Sequence, residues 1–206
     1  MVMKNVKVIK NPVICQSLCT MRNKNTDSQG VRIAARKITR VLLYEASKNL
    51  PLVDKEIETP LTKFVSKDIA NDIKIIISPI LRAGLIFTDE AIDILPDACI
   101  RHIGMYRDEE TLKPVWYYNK VPMATPNPEK FYVYITDPML ATGNSMLEAI
   151  RLYADKQIPL SNIKCINIIA APQGIELIHK EFPDVEIITE AVDEKLNEKG
   201  YIIPGM

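Results

Sequence analysis

The chain has 206 residues, 47% of them hydrophobic and 25% charged, enough for one globular domain with a sizeable core. Its 26 basic and 26 acidic residues cancel, which excludes a surface built mainly to neutralise a nucleic-acid backbone but leaves room for a local anion site. Residues 1–12 lack the apolar region of a signal peptide and no run reaches the ~20 apolar residues of a membrane span, so the expectation is a soluble, cytoplasmic protein.

In chain order, the first strong element is a helix over residues 27–49. Val31, Ala34, Ala35, Ile38, Val41, Leu42 and Ala46 share one face, Thr26 and Gln29 have the form of a capping box, and Pro51 fits the end. Residues 55–66 read as extended and irregular. Lys74–Pro79 is a buried strand, Ala83–Leu95 a helix stopped by Pro96, and Cys99–Tyr106 a second strand. Residues 107–130 break the rhythm with Pro114, Pro122, Pro126 and Pro128, and Val115–Tyr118 could form an arm or hairpin. Phe131–Thr136 is the third strand and Asn144–Ala154 a helix with Met146, Leu147, Ile150 and Tyr153 on one side. Ile163–Ala171 is the fourth strand, Gln173–Glu181 a short helix and Val185–Thr189 the fifth strand. Alternating strands and helices joined by short loops predict an α/β fold, a parallel sheet flanked by helices.

Cys15, Cys19, Cys99 and Cys165 match no zinc framework, and His102 and His179 stand far apart, so neither a structural metal nor a disulfide is expected. Cys99 and Cys165 lie in apolar runs and are predicted to be small buried hydrophobes.

The segment that carries chemistry is YITDPMLATGNS, Tyr134–Ser145. A strand runs into Asp137, crosses a loop of small residues and enters a helix near Asn144. Parallel sheets bind ligands where strands end and helices begin. A helix N-terminus offers unpaired N–H groups to a phosphate. Ala141, Thr142, Gly143 and Ser145 permit close backbone approach, and Thr142 and Ser145 add hydroxyls. Asp137 can accept two hydrogen bonds from a vicinal diol. A sugar-phosphate cradle and a ligand-free strand–loop–helix turn both fit this pattern. It is neither a Walker loop nor a dinucleotide fingerprint.

DPMLATGNS resembles the phosphoribosyl-pyrophosphate motif of the uracil phosphoribosyltransferases. LLYEA (42–46), SPILRAGL (78–85), GMYRDEETLKPV (104–115), AAPQGIE (170–176) and EKLNEKGYIIPG (194–205) resemble that family in the same order. Pro138 stands where many other phosphoribosyltransferases carry a second acidic residue, as it does in the uracil enzymes. The resemblance implies a single phosphoribosyltransferase domain over residues 1–206. It also implies a small hood from the N- and C-terminal segments and an arm near residues 107–130.

The reaction it implies is uracil plus phosphoribosyl pyrophosphate giving UMP and diphosphate. Asp137, Pro138, Met139, Leu140, Ala141, Thr142, Gly143, Asn144 and Ser145 would hold the ribose and 5′-phosphate. Leu81–Gly84 would form the pyrophosphate loop with Arg82 on the leaving group, and Arg107 would close over it from a mobile loop. Tyr201 and Ile202 would contact uracil, mainly through the main chain. Mg²⁺ would be bound chiefly through the substrate, and a homodimer or larger homo-oligomer is implied. The chain departs from the family pattern at Asn144, in place of a second glycine, where tolerance of left-handed backbone would preserve the loop. It also ends at Met206, before the family's Gly-Asp-Ala-Gly-Asp stretch. The alternative expectation is therefore a weakly active or non-catalytic relative that binds phosphoribosyl pyrophosphate or a nucleotide as a sensor or partner.

Overall fold

The computed structural model describes residues 5–107, 114–121 and 126–206. In chain order it contains β1 (Val6–Val8), α1 (Pro12–Arg22), α2 (Ser28–Ser47), β2 (Leu52–Glu58), β3 (Lys63–Ile69) and β4 (Lys74–Leu81). A 3-10 turn (Ala83–Phe87) leads to α3 (Thr88–Ile94), β5 (Cys99–Ile100), β6 (Ile103–Arg107) and β7 (Pro114–Asn119). Then follow β8 (Phe131–Thr136), β9 (Met139–Leu140), α4 (Asn144–Ala154), β10 (Ile163–Ala170) and α5 (Pro172–Glu181). β11 (Glu186–Val192), β12 (Lys195–Leu196) and β13 (Ile202–Ile203) complete the chain.

The central sheet runs β1-β11-β10-β8-β4-β6-β7. It is parallel except where β7 turns back on β6. Parallel strands covered on both faces read as apolar runs without alternation, and β10 is buried along its whole length. Successive residues feed two cores. Ile75, Ile77 and Tyr134 face the layer of α1, α2 and α3, whereas Ile76, Val133 and Ile135 face α4 and α5. Full burial of one such aliphatic side chain contributes about 1.5–3 kcal/mol, so the middle of the sheet is the rigid part of the molecule.

α2 buries Ala34, Ala35, Ile38, Leu42 and Ala46, the face its spacing predicts. Its cap differs from the expected one. Asp27, not Thr26, is the N-cap, and its carboxylate accepts from the Gly30 N–H at 2.7 Å. Thr26 instead donates its hydroxyl to the Thr20 carbonyl. α1 has no counterpart among the predicted elements. Asn11 caps it, Pro12 opens it, and Ile14, Leu18 and Met21 are its buried face.

Residues 55–66 are regular, not irregular. β2 and β3 pair as an antiparallel hairpin from Leu52 opposite Ile69 to Glu58 opposite Lys63. The hairpin stands off the body with all of β2 exposed, so neither face carries the apolar alternation that marks a strand. Lys55 pairs with Asp68 and Lys67 with Asp54 across it.

The expected helix over Ala83–Leu95 divides into the 3-10 turn and α3. The expected strand Cys99–Tyr106 divides into β5 and β6. Between them Arg101 donates its N–H to the Ile77 carbonyl and accepts from the Ser78 hydroxyl. Cys99 is exposed at this edge, contrary to expectation, while Cys165 is buried and its thiol pKa is pushed up by burial. The last long strand is Glu186–Val192, shifted from the predicted Val185–Thr189. In the expected arm, Val115–Tyr118 falls in β7, which pairs with β6. Residues 108–113 and 122–125 lie outside the described residues.

Candidate functional site

β4 and β8 are neighbours, with Pro79 opposite Thr136, so their C-terminal ends deliver the Leu81–Gly84 and Asp137–Gly143 loops side by side. Gly84 permits the contact, because a Cβ there would lie 2.5 Å from the Thr136 carbonyl oxygen. The Leu81–Arg82 peptide is cis. Arg82 is exposed, and no carboxylate among the described residues pairs with it. Arg22, Arg36, Arg40 and Arg151 all have such partners.

The loop after β8 is pinned to β10. Asp137 donates its N–H to Ile166 at 3.2 Å, and Pro138 accepts from Ile168 and Ile169 at 3.0 and 3.1 Å. Leu140 accepts from Ala171 at 2.8 Å, and Met139 and Leu140 pair as β9 with β10. Among the described residues, the half-buried Asp137 carboxylate accepts only the Met139 N–H, at 3.3 Å. Burial pushes its pKa up to about 7, because little in the protein itself stabilises the charge.

Gly143 turns the loop into α4. Its φ is +86°, and it caps the helix without a side-chain hydrogen bond, which leaves first-turn N–H groups for a ligand. Asn144 is already in the helix and needs no left-handed backbone, so the tolerance expected of it is not used. A Cβ on Gly143 would lie 2.8 Å from the Gly174 carbonyl oxygen, and one on Gly174 only 2.5 Å from that of Ala141. The start of α5 is thus pressed against the loop, which explains the glycine in AAPQGIE.

The result is a pocket of about 150 Å³ lined by Asp137, Met139 to Gly143, Ser145, Met146 and Gly200. Pro138 and Leu140 are buried, Thr142, Asn144 and Ser145 half-buried, and Met139 is exposed. A carboxylate, two hydroxyls and a helix N-terminus converge on a space large enough for a phosphorylated sugar end.

Gly200 comes from the C-terminal hairpin formed by β12 and β13. Within it the Asn197 side chain accepts from Lys199 and Tyr201, and the Asn197 N–H donates to the Tyr201 carbonyl. Both main-chain groups of Tyr201 thus take part in the hairpin. Its side chain is exposed, while Ile202 is buried. Arg22 of α1 holds this hood. It donates to both oxygens of Asp193, at 2.5 and 2.9 Å, and to the Gly205 carbonyl at 2.7 Å. Gly205 returns its N–H to Asp193 at 3.0 Å.

The structure brings Asp137–Ser145 and Gly200 together and sets the Arg82 loop beside them. Arg107 ends β6 opposite Pro114, and its side chain lies outside the described residues. Nothing in the sequence singles out Arg22 or Asp193, and Asn197 and Gly174 stand only within the family-like segments EKLNEKGYIIPG and AAPQGIE.

The sequence matches the family profile described as uracil phosphoribosyltransferase over residues 8–206. A relative of that name from Lachnoclostridium phytofermentans is 43% identical, over 99% of this chain and 95% of its own length. The solved AQ2163 protein from Aquifex aeolicus superposes with a TM-score of 0.87 at 36% identity, covering 97% of this chain and 93% of that one. An adenine phosphoribosyl transferase from Trypanosoma brucei, solved with AMP, pyrophosphate and ribose-5-phosphate, shares the fold with a TM-score of 0.60 at 13% identity, over 93% and 85%.

Proposed function

We infer, for a chain that belongs to the uracil phosphoribosyltransferase family, how its residues divide the transfer of a phosphoribosyl group from phosphoribosyl pyrophosphate to uracil. The chain works as a single phosphoribosyltransferase domain. The N-terminus of α4, with Thr142, Gly143, Asn144 and Ser145, takes the 5′-phosphate. Asp137 accepts from the ribose hydroxyls, Arg82 forks onto the diphosphate, and Arg107 approaches it from the end of β6. Uracil lies under the hood beside Tyr201 and Ile202. The observation that carries this reading is the pocket in which Asp137, the uncapped start of α4 and Gly200 meet.

Breaking the C1′–O bond leaves positive charge on the ribose and negative charge on the departing diphosphate. The protein contributes alignment, the Asp137 carboxylate beside the sugar and the Arg82 guanidinium beside the leaving group. Among the described residues no cluster of three metal-ligating side chains stands at the site, and the lone Asp137 fits an ion held mainly by substrate oxygens and water. Magnesium bound in that way would supply charge neutralisation on the diphosphate.

A homodimer or larger assembly in the cytoplasm completes the reading. It is supported by the β2–β3 hairpin, which exposes Leu52, Ile57, Leu61, Phe64 and Val65 while pairing its own charges. The test is UMP release from labelled uracil, phosphoribosyl pyrophosphate and Mg²⁺. Activity that falls together with phosphoribosyl-pyrophosphate affinity in Asp137→Asn and Arg82→Ala supports the assignment. Unchanged kinetics in both variants would remove these residues from it.

A further inference from the structure

We propose that Asn167, in the middle of β10, is a positioning residue for the Asp137 carboxylate, an inference that rests on the reading that Asp137 holds the ribose hydroxyls. Asn167 is fully buried, as are Cys165, Ile166, Ile168 and Ile169 around it in the strand. Its Nδ2 donates to the Asp137 carbonyl at 2.6 Å, and its Oδ1 has no hydrogen-bond partner among the described residues. Packing alone does not call for such a residue, since a buried amide oxygen without a partner costs free energy. What the amide adds is its one bond, and that bond goes to the residue that faces the sugar.

The need for it is local. The β8–β10 ladder ends with Thr136 opposite Ile166, and Pro138 has no N–H with which to extend it. The Asp137 N–H is held by Ile166, and the Pro138 carbonyl by Ile168 and Ile169. Between these anchors, Asn167 supplies the partner of the Asp137 carbonyl. Consecutive residues of one rigid strand thereby fix the peptide planes on both sides of the Asp137 Cα, and with them the direction in which its side chain leaves the chain. The carboxylate itself has only the 3.3 Å contact to the Met139 N–H, so its place depends on its backbone.

The test compares Asn167→Leu with Asp137→Asn in the full chain, following melting temperature and the KM values of both substrates. Asn167→Leu should melt within a few degrees of the wild-type temperature, because it removes the stranded Oδ1 while leaving the Asp137 carbonyl without its partner. It should nevertheless raise the KM for phosphoribosyl pyrophosphate roughly tenfold, with the KM for uracil within about twofold. The pH dependence of phosphoribosyl-pyrophosphate binding should shift as well, since the surroundings of Asp137 change. Asn167→Ser, too short to reach the Asp137 carbonyl, should show the same kinetic loss and serves if the leucine variant does not fold. Wild-type kinetics in the Asn167 variants, beside a clear loss in Asp137→Asn, would make Asn167 a packing residue and overturn the proposal. An unaffected Asp137→Asn would overturn the ribose reading, and this proposal with it.

Discussion

The phosphoribosyl cradle and the hood above it meet at Gly200 and are held by different means. The cradle grows out of the buried centre of the sheet. β10 binds its backbone at Asp137, Pro138 and Leu140, and α5 presses on it through Gly174. The hood is two strands of two residues each, tied to the body by the Arg22–Asp193–Gly205 cluster. A site that must hold a phosphate in one orientation is built on rigid elements. On the proposed reading, the hood that would cover uracil comes from the lightly tied end of the fold, where local opening costs least. The two halves should therefore fail separately: damage to the cradle appears in phosphoribosyl-pyrophosphate binding, and damage to the Arg22 cluster in uracil binding.

The largest effect should come from Gly174→Ala. Its Cβ would stand 2.5 Å from a backbone oxygen of the loop, so the loop must move. Displacement of that order costs roughly a hundredfold in kcat/KM for phosphoribosyl pyrophosphate. Steady-state kinetics would show it, and a loss confined to uracil would break the division.

Asp137→Asn comes next. One charged hydrogen-bond partner is worth on the order of 1.5–3 kcal/mol, about ten- to a hundredfold in kcat/KM, with little change in melting temperature. Its pH signature has a definite sign. Burial raises the Asp137 pKa to about 7, so the free protein is largely protonated there at lower pH. Ribose hydroxyls donate to the ionised form, so binding expels a proton. Affinity should rise with pH up to about 7 and level above it. Calorimetry in buffers of different ionisation enthalpy would count the proton, and the part of the pH dependence due to Asp137 should vanish in Asp137→Asn.

Arg22→Lys should act on the other half. A lysine keeps the charge but cannot fork onto both Asp193 oxygens while also reaching Gly205. The KM for uracil should rise about five- to tenfold while that for phosphoribosyl pyrophosphate stays within about twofold. An equal rise in both would show that the halves are mechanically one.

The smallest effect on chemistry should come from Leu61→Asp at the tip of the β2–β3 hairpin, where Leu61 is 95% exposed. Sedimentation should show a weakened assembly, with kcat within about twofold at concentrations that restore it. Unchanged sedimentation would remove the hairpin tip from the assembly contact.

What could be read from the sequence follows the same division. β8 and α4 were legible to the residue, because a buried parallel strand and a one-sided helix write their periodicity plainly, whereas the small residues after Asp137 fitted both a phosphate cradle and a ligand-free turn. The hood's support was not legible. Arg22 and Asp193 lie 171 positions apart, and nothing local marks them as partners. Asn167 carries no local signal, because the carbonyl it bonds lies 30 positions away, after β8. The β2–β3 hairpin escaped because strands as exposed as these carry no pattern of burial. α1 was missed because only Ile14, Leu18 and Met21 of its apolar residues are buried, too few to stand out between Pro12 and the polar residues that follow Arg22.

The most direct measurement is a crystal structure of the protein with phosphoribosyl pyrophosphate and Mg²⁺. The 5′-phosphate should lie within hydrogen-bond distance of the N–H groups from Thr142 to Ser145, with the ribose hydroxyls on Asp137 and the diphosphate toward Arg82. A 5′-phosphate bound elsewhere, with the start of α4 empty, would contradict the assignment of this loop as the cradle.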